Sequence, residues 1–157
     1  MSATRLAALE RWFLRAGVFL LPLAYSWDTY DKYVLPKLLL ARALLLGLVI
    51  LFVARAAVAR VIVVKRTPLD LPLIALIASA VLSTLFAENQ NVAIFGTYSR
   101  YDGLLTFLTY AGLFWFSVQS LASAAEARAL LRIILASGYV VAAIAIVQSV
   151  KDSRRNR

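Results

Sequence analysis

Hydrophobic residues along this chain fall into five long runs that are separated by short polar stretches. The runs cover residues 8–25, 37–56, 70–86, 103–120 and 129–150. A stretch of about 20 apolar residues is long enough to cross a bilayer as a helix. The pattern therefore predicts an all-α integral membrane protein, a bundle of about five transmembrane helices.

The first run permits two interpretations. It is short for a span, and its basic start, its apolar stretch Gly17–Leu23 and the small residues Ala24 and Ser26 are also typical of a cleaved signal peptide. We favour a first transmembrane helix that starts near Leu6, because four further apolar runs follow.

Several local features refine this picture. No glycine or proline follows Arg55 before Pro68, so we expect the second helix to continue towards Val64. The segment Thr67–Asp70 predicts a turn, and Ala122–Arg128 predicts a hydrophilic break between helices. Two sets of small residues predict faces for close helix packing: Ala75, Ser79 and Ser83, and Gly138 with Ala142.

The composition supports a membrane protein. The chain is 62% hydrophobic and 16% charged, whereas a soluble domain has about 45–50% apolar and about 25% charged residues. One small core cannot bury the excess. Cysteine and histidine are both absent from the sequence, which excludes disulfides and removes the commonest general base near neutral pH. We assign no catalytic residue, metal site or cofactor.

The net charge of +9 could indicate nucleic-acid binding, but the cations flank the apolar runs as in the positive-inside pattern. They concentrate at the N-terminus and in the second and fourth connections: Arg5, Arg11, Arg15, Arg55, Arg60, Lys65, Arg66, Arg128 and Arg132. The first and third connections carry acids instead: Asp28, Asp31, Glu88 and Asp102. We therefore predict a cytoplasmic N-terminus and no nucleic-acid partner.

The basic tail at residues 151–157 disagrees with this rule. After five spans its four cations would lie on the outer side of the membrane. Either the number of spans differs from five or this is not a native end, and we interpret it as a non-native end.

The segment Phe95–Leu105, FGTYSRYDGLL, concentrates polar chemistry at the predicted outer face. The planar guanidinium of Arg100 suits a phosphate or a diphosphate. Asp102 could orient Arg100 or cap the helix that starts at about Gly103. The alternative is that Arg100 and Asp102 form a surface ion pair.

The remaining residues of this segment also have two interpretations. Gly96 and Gly103 would let the backbone approach a ligand or adopt a positive φ angle. Tyr98 and Tyr101 could stack on a sugar ring, or they could be anchors in the headgroup zone of the membrane.

Arg42 lies inside the second run, and arginine within a span is costly and indicates a functional site by default. It is roughly 9 Å from Pro36 along a helix, so its side chain could snorkel to the outer face. We expect Lys37 and Arg42 to share an outer pocket with Arg100, as a cationic cluster for the headgroup of an anionic, lipid-linked glycan.

Three segments carry a family resemblance: LPLAYSWDTYDKYVLPKLLLAR, TPLDLPLIALIASAVLSTLFAEN and FGTYSRYDGLLTFLTYAGLFW. Together they resemble the N-terminal portion of bacterial O-antigen ligase / O-antigen polymerase family proteins over Leu21–Val150, and FG-x-Y-x-R-x-x-G-L is the most specific motif. The resemblance implies a multi-pass inner-membrane protein that moves a glycan from an undecaprenyl-diphosphate carrier on the periplasmic side. It also implies that Arg100 contacts the carrier diphosphate.

Members of that family have many more spans and a long periplasmic loop in the later half, which is expected to supply the catalytic base. This chain ends after the fifth run, so we expect it to lack the catalytic half and to be inactive alone. The alternative is a small, non-enzymatic membrane subunit or helper with a partner membrane subunit. A transporter component is a third class, which only the position of Arg42 favours.

Overall fold

The computed structural model describes residues 2–24, 34–98 and 100–155, with side chains as far as Val147, and these ranges contain helices and no strand. The helices are α1 (Ala3–Leu20), α2 (Val34–Ala59), α3 (Asp70–Leu85), α4 (Gln90–Phe95), α5 (Leu104–Ser120) and α6 (Ala124–Arg155). The predicted all-α class is therefore confirmed for this part of the chain. The short helix α4 lies in the connection between the third and fourth predicted runs.

The first two helices pack closely in opposite directions. Gly17 of α1 lies against Leu44 of α2, and Gly47 of α2 lies against Phe13 of α1. A glycine on each side of the contact lets a large side chain of the other helix fill the space. The buried residues Leu14, Leu44 and Leu48 form the centre of this contact.

Helix α5 lies beside α2 and runs in the same direction. Near the middle of both helices Gly112 contacts Leu45, and further along the ring centroids of Phe52 and Phe116 are 5.6 Å apart. The bundle therefore has two distinct ends. We call the end at which α1 begins and α2 and α5 terminate the polar end, and the opposite end, which holds Gly96–Gly103, the loop end.

Within the described residues, two helices are long and apolar enough to cross a membrane, Val34–Ala59 and Ala124–Val147. Only 22% of the apolar window of the first and 6% of that of the second is buried, whereas a core helix of a soluble protein is mostly buried. Their exposed apolar surface suits contact with lipid, because contact of so large an apolar area with water is unfavourable.

Helices α1, α3 and α5 do not meet this criterion of length and hydrophobicity. Four charged residues lie within the 18 residues of α1 (Arg5, Glu10, Arg11 and Arg15). Helices α3 and α5 are apolar but have 16 and 17 residues, or roughly 25 Å at about 1.5 Å per residue. A hydrocarbon core is about 30 Å thick, so a bundle of five full spans remains a prediction.

The first helix lies five residues earlier than the predicted span 8–25. It starts directly after Ser2 and ends at Leu20, two residues before Pro22. Leu21 still donates its backbone N–H to Gly17 O, but Pro22 has no backbone N–H and cannot donate the next hydrogen bond of the helix. Residues 25–33 lie outside the described part of the chain, so the predicted first connection with Asp28 and Asp31 is not tested.

The second helix extends three residues beyond both ends of the predicted span 37–56, and Pro36 lies in its first turn. Its expected continuation towards Val64 is wrong. Arg60 adopts a left-handed conformation with φ of 52° and ends the helix. The following residues Val61–Val64 are β-branched, a type that tolerates a helix less well than an extended chain.

Helix α6 is longer than the predicted run 129–150, since it begins at Ala124 and ends at Arg155. The predicted break at residues 122–128 is therefore shorter than expected, and its end has a local cause. The Ser123 hydroxyl accepts a hydrogen bond from Glu126 N at 3.3 Å, and a Glu126 carboxylate oxygen accepts one from Ala122 N at 2.5 Å. This reciprocal arrangement resembles a capping box and starts the helix.

Helices α3 and α5 agree with the predicted spans 70–86 and 103–120 to within one residue at each end. The predicted turn before α3 is confirmed. The Asp70 carboxylate accepts hydrogen bonds from the Thr67 amide at 2.8 Å and from its hydroxyl at 3.0 Å.

The small-residue faces do not pack within the described chain. Ala75, Ser79 and Ser83 are exposed on α3. A Cβ atom added at Gly138 of α6 would meet nothing within 4 Å. The expectation of close packing at these faces is therefore not met by the other helices of this chain.

The contact between α1 and α2 makes a testable prediction about Gly17. A Cβ atom at this position would lie 2.7 Å from Leu44 Cδ2 and 3.0 Å from Leu44 Cγ, and Leu44 is buried and cannot move aside. We expect Gly17→Leu to lower the free energy of unfolding in detergent micelles by about 1–3 kcal/mol, which is the usual result of overpacking. Gly138→Leu is the matched control: it meets no neighbouring atom, and it should leave the free energy of unfolding unchanged or raise it by up to about 1 kcal/mol, because leucine favours a helix more than glycine does. Equal effects of the two substitutions would contradict the packing described here.

Candidate functional site

The loop end is built around a backbone contact between two glycines. Gly96 follows α4 with a φ angle of 86°, and a Cβ atom there would overlap the backbone N of Asp102. A Cβ atom at Gly103 would lie 2.6 Å from the carbonyl carbon of Ile94. The predicted positive φ is therefore confirmed at Gly96, and both glycines are used for contact between α4 and the start of α5.

The chain between these glycines is a hydrogen-bonded turn. The amides of Arg100 and Tyr101 donate to Thr97 O at 3.2 and 3.0 Å. Tyr101 has a φ angle of 55°, and its carbonyl accepts a hydrogen bond from the Thr106 hydroxyl in the first turn of α5. The rings of Tyr98 and Tyr101 lie side by side, with centroids 6.3 Å apart. The turn is therefore fixed to α5 on one side and to α4 on the other.

Arg100 and Asp102 project from this turn and both are exposed. The ion pairs among the described residues lie elsewhere, at Arg11 and Arg55, so the alternative of an Arg100–Asp102 surface pair is wrong. The N-cap of α5 is Gly103, so Asp102 neither caps this helix nor holds Arg100. The Arg100 guanidinium is left facing the surroundings of the bundle.

Lys37 and Arg42 lie in the first turns of α2, and both are half-buried. Because α2 and α5 run in the same direction, these two cations are at the loop end together with Arg100. The side-chain hydrogen bonds and ion pairs of the described residues give these three cations no common acceptor. The structure thus brings them to one end of the bundle without a shared partner among the described residues.

The polar end contains a buried charge that the sequence analysis missed. Glu10 of α1 has no exposed surface. The Ser120 hydroxyl of α5 donates to one carboxylate oxygen at 2.6 Å, and Arg55 Nη1 of α2 lies 3.2 Å from the other. Arg55 also lies over the ring of Phe52, 5.2 Å from its centroid. One carboxylate therefore connects three helices.

A signal for this burial was present in the sequence. The buried face of α1 consists of Leu6, Glu10, Leu14 and Gly17, at spacings of four, four and three residues. Positions with this spacing lie on one side of a helix. An acid at the centre of an otherwise apolar stripe indicates a buried partner, although the partner itself cannot be read from α1.

Lys65 makes a second set of contacts at the polar end. Its backbone N–H donates to the Gln119 side-chain carbonyl at 2.7 Å, and the Gln119 amide donates back to Lys65 O at 3.0 Å. The Lys65 ammonium donates to Gln119 O at 3.1 Å and also to Leu121 O. These carbonyls are at the C-terminus of α5, where a cation is favoured. The extended chain after α2 is thereby attached to the end of α5.

A third contact at this end joins α1 to α6, since Arg11 Nε lies 3.1 Å from a carboxylate oxygen of Glu126. In the part of the chain that the structure describes, no group of three or more Asp and Glu side chains could hold a metal ion. The candidate binding groups among the described residues are therefore cations and hydrogen-bonding groups. They are an exposed guanidinium at the loop end and cations paired with carboxylates at the polar end.

Comparison of the chain with protein-family models, with curated proteins and with solved structures gives no match.

The ion pair between Glu10 and Arg55 predicts that replacing one of the two residues costs more stability than replacing the other. Arg55→Leu leaves a fully buried carboxylate without its cation, and we expect it to lower the free energy of unfolding by about 3–5 kcal/mol. Glu10→Leu should cost less, because the Arg55 side chain is 23% exposed and can still contact water. The double variant should be more stable than the sum of the two single effects predicts, by about 1 kcal/mol or more. Additive effects in a thermal or denaturant unfolding series would show that the pair does not couple α1 to α2.

Proposed function

We propose that this chain is the N-terminal part of an O-antigen ligase- or polymerase-like protein, a multi-pass protein of the bacterial inner membrane. Its role would be to bind the diphosphate of an undecaprenyl-linked glycan at the loop end. The observation that carries the proposal is the exposed Arg100 guanidinium, held on a turn between two close-packed glycines. The identity of the ligand is inferred from the resemblance of Phe95–Leu105 to the family motif.

The charges at the loop end suit a diphosphate. A guanidinium can donate two parallel hydrogen bonds to a phosphate group, which a lysine cannot do. Lys37 and Arg42 add two cations at the same end of the bundle, and this positive charge favours an anion with more than one negative charge, such as a diphosphate. At a membrane surface these interactions are screened less than in water.

The rest of the turn suits the other parts of such a ligand. The rings of Tyr98 and Tyr101 lie next to the guanidinium in sequence and close to each other in space. An aromatic ring beside a phosphate-binding group can stack against the first sugar of a glycan, and the apolar surface of α3 and α5 can accompany the isoprenoid chain.

The cations at the polar end support one orientation of the bundle. Arg5, Arg55, Arg60, Lys65 and Arg66 are at the polar end, and the positive-inside rule places such an end in the cytoplasm. The loop end then faces the periplasm, where the lipid-linked glycan is used. No residue of this chain is assigned to catalysis, so the transfer step would need groups supplied by another segment or protein.

One observation favours the alternative of a non-enzymatic subunit. The small residues Ala75, Ser79 and Ser83 on α3 are exposed, and such a face can accept a helix of a partner membrane protein. A helper of this kind need not bind a glycan carrier, so the experiment below separates the two functions.

The test measures binding of undecaprenyl diphosphate that carries a short oligosaccharide to the protein in lipid nanodiscs. We expect Arg100→Ala to weaken binding by about tenfold or more, as loss of a charge-assisted hydrogen bond implies. Arg100→Lys should also weaken binding, because it keeps the charge but loses the planar fork. Arg42→Ala should have a smaller effect of the same sign.

The matched control is Arg60→Ala, which removes an exposed arginine at the polar end and should leave the affinity unchanged. If Arg100→Ala and Arg42→Ala both bind the ligand as the wild type does, the diphosphate site is wrong and the helper function is favoured.

A further inference from the structure

A cavity of about 290 Å³ opens at the polar end, far from the loop that carries Arg100. It is enclosed by the first turns of α1, the last turns of α2, the extended chain that follows α2, and the end of α5. The residues that matter for its chemistry are Ala7, Phe52, Arg55, Ala56, Val63 and Lys65.

The lining combines apolar walls with two cations. The walls are formed by alanine, valine and phenylalanine side chains, and Arg55 and Lys65 are the charged residues of the lining. A purely apolar ligand would leave both cations without an anion, and a small, fully hydrated anion would make no use of the walls. The lining therefore suits a ligand with an anionic group joined to apolar carbons.

The balance of charge indicates how many negative charges the ligand carries. Glu10 neutralises Arg55 from the side of the bundle interior, with 3.2 Å between the charged groups. The Lys65 ammonium donates to two backbone carbonyls, which are polar but carry no net charge. One positive charge is left over, which matches a phosphodiester and falls short of a phosphomonoester or a diphosphate.

The depth of the cavity suits the headgroup region of a membrane. Arg55 is four residues from the end of α2, or about 6 Å along the helix axis. Long cationic side chains near the end of a membrane helix can reach the interface, and cation-rich membrane surfaces attract anionic lipids.

We propose that this cavity binds the phosphodiester group of an anionic phospholipid from the leaflet at the polar end. The phosphate would contact Lys65 and the Arg55 donors that do not face Glu10. The glycerol carbons would lie against Ala7, Ala56 and Phe52, and the acyl chains would continue along the exposed apolar surface. This inference is independent of the glycan proposal, which concerns the opposite end of the bundle.

The test uses the full chain in detergent micelles, with binding measured by native mass spectrometry. The probes are dioleoylphosphatidylglycerol, dioleoylphosphatidylcholine and inorganic phosphate. We expect the wild type to retain phosphatidylglycerol with an affinity about tenfold higher than phosphatidylcholine, the size of effect that one charge-assisted hydrogen bond provides.

Three variants make the test specific. Lys65→Gln removes the lining cation that has no acidic partner, and it should abolish most of the preference for phosphatidylglycerol. Ala7→Phe fills the cavity while keeping both cations, and it should do the same. Arg66→Gln removes an exposed cation next to Lys65 that does not line the cavity, and it should retain the preference.

Circular dichroism of each variant shows whether the helices are retained, and a variant that loses them is replaced by Ala56→Phe, which blocks the same cavity from α2. If Arg66→Gln loses as much of the preference for phosphatidylglycerol as the cavity variants do, the lipid is attracted by the total charge of the polar end and not by the cavity. That result would overturn the proposal. Competition by inorganic phosphate at the same concentration as the lipid would show a site for free anions and would overturn the assignment to a lipid.

Discussion

The apolar surface of this bundle exceeds what the chain can bury by folding on itself. The central cluster of buried apolar residues contains Leu14, Leu44 and Leu48, while α6 leaves almost all of its apolar side chains uncovered. In a membrane, lipid would supply the remaining contacts, and the hydrophobic effect would not by itself decide which helix packs against which. Close contact at glycines and bonds between polar side chains have to provide that specificity.

The polar end shows how such bonds are arranged. Glu10 joins α1 to α2 and α5, Gln119 joins α5 to the chain after α2, and Glu126 joins α6 to α1. Each contact connects segments that are distant in sequence, so the set fixes the order of helices around α1. Polar groups removed from water are costly unless they are paired, and an incorrect arrangement of helices would leave Glu10 without its partners. At the loop end Arg100 is exposed.

Much of the fold follows from the distribution of apolar residues, because a long apolar run has few alternatives to a helix in lipid. The predicted bounds of α3 and α5 are accurate to one residue for that reason. The errors at α1, α2 and α6 come from single residues with local effects: Pro22, the left-handed Arg60, and the cap formed by Ser123 and Glu126. These effects compete with the apolar pattern at its edges, where the pattern itself is weakest.

The sites were predicted less completely than the helices. The positive φ at Gly96 was expected, since only glycine adopts it freely, but the roles expected for Asp102 were wrong because Gly103 caps α5 in its place. Burial of Glu10 depends on Arg55 and Ser120, which are 45 and 110 residues further along the chain, as the residue numbers give. A one-dimensional pattern shows that an acid lies on an apolar face, but only the packing of three helices shows what neutralises it.

The central claim is that the loop end and the polar end lie on opposite sides of a membrane. The chain contains no cysteine, so a single introduced thiol reports its own position. Thr97→Cys at the loop end and Arg66→Cys at the polar end can be labelled in intact bacterial cells whose outer membrane has been made permeable, using a maleimide that does not cross the inner membrane. The account predicts that Thr97→Cys is labelled directly and Arg66→Cys only after the inner membrane is opened. Labelling of both positions from the same side would contradict it.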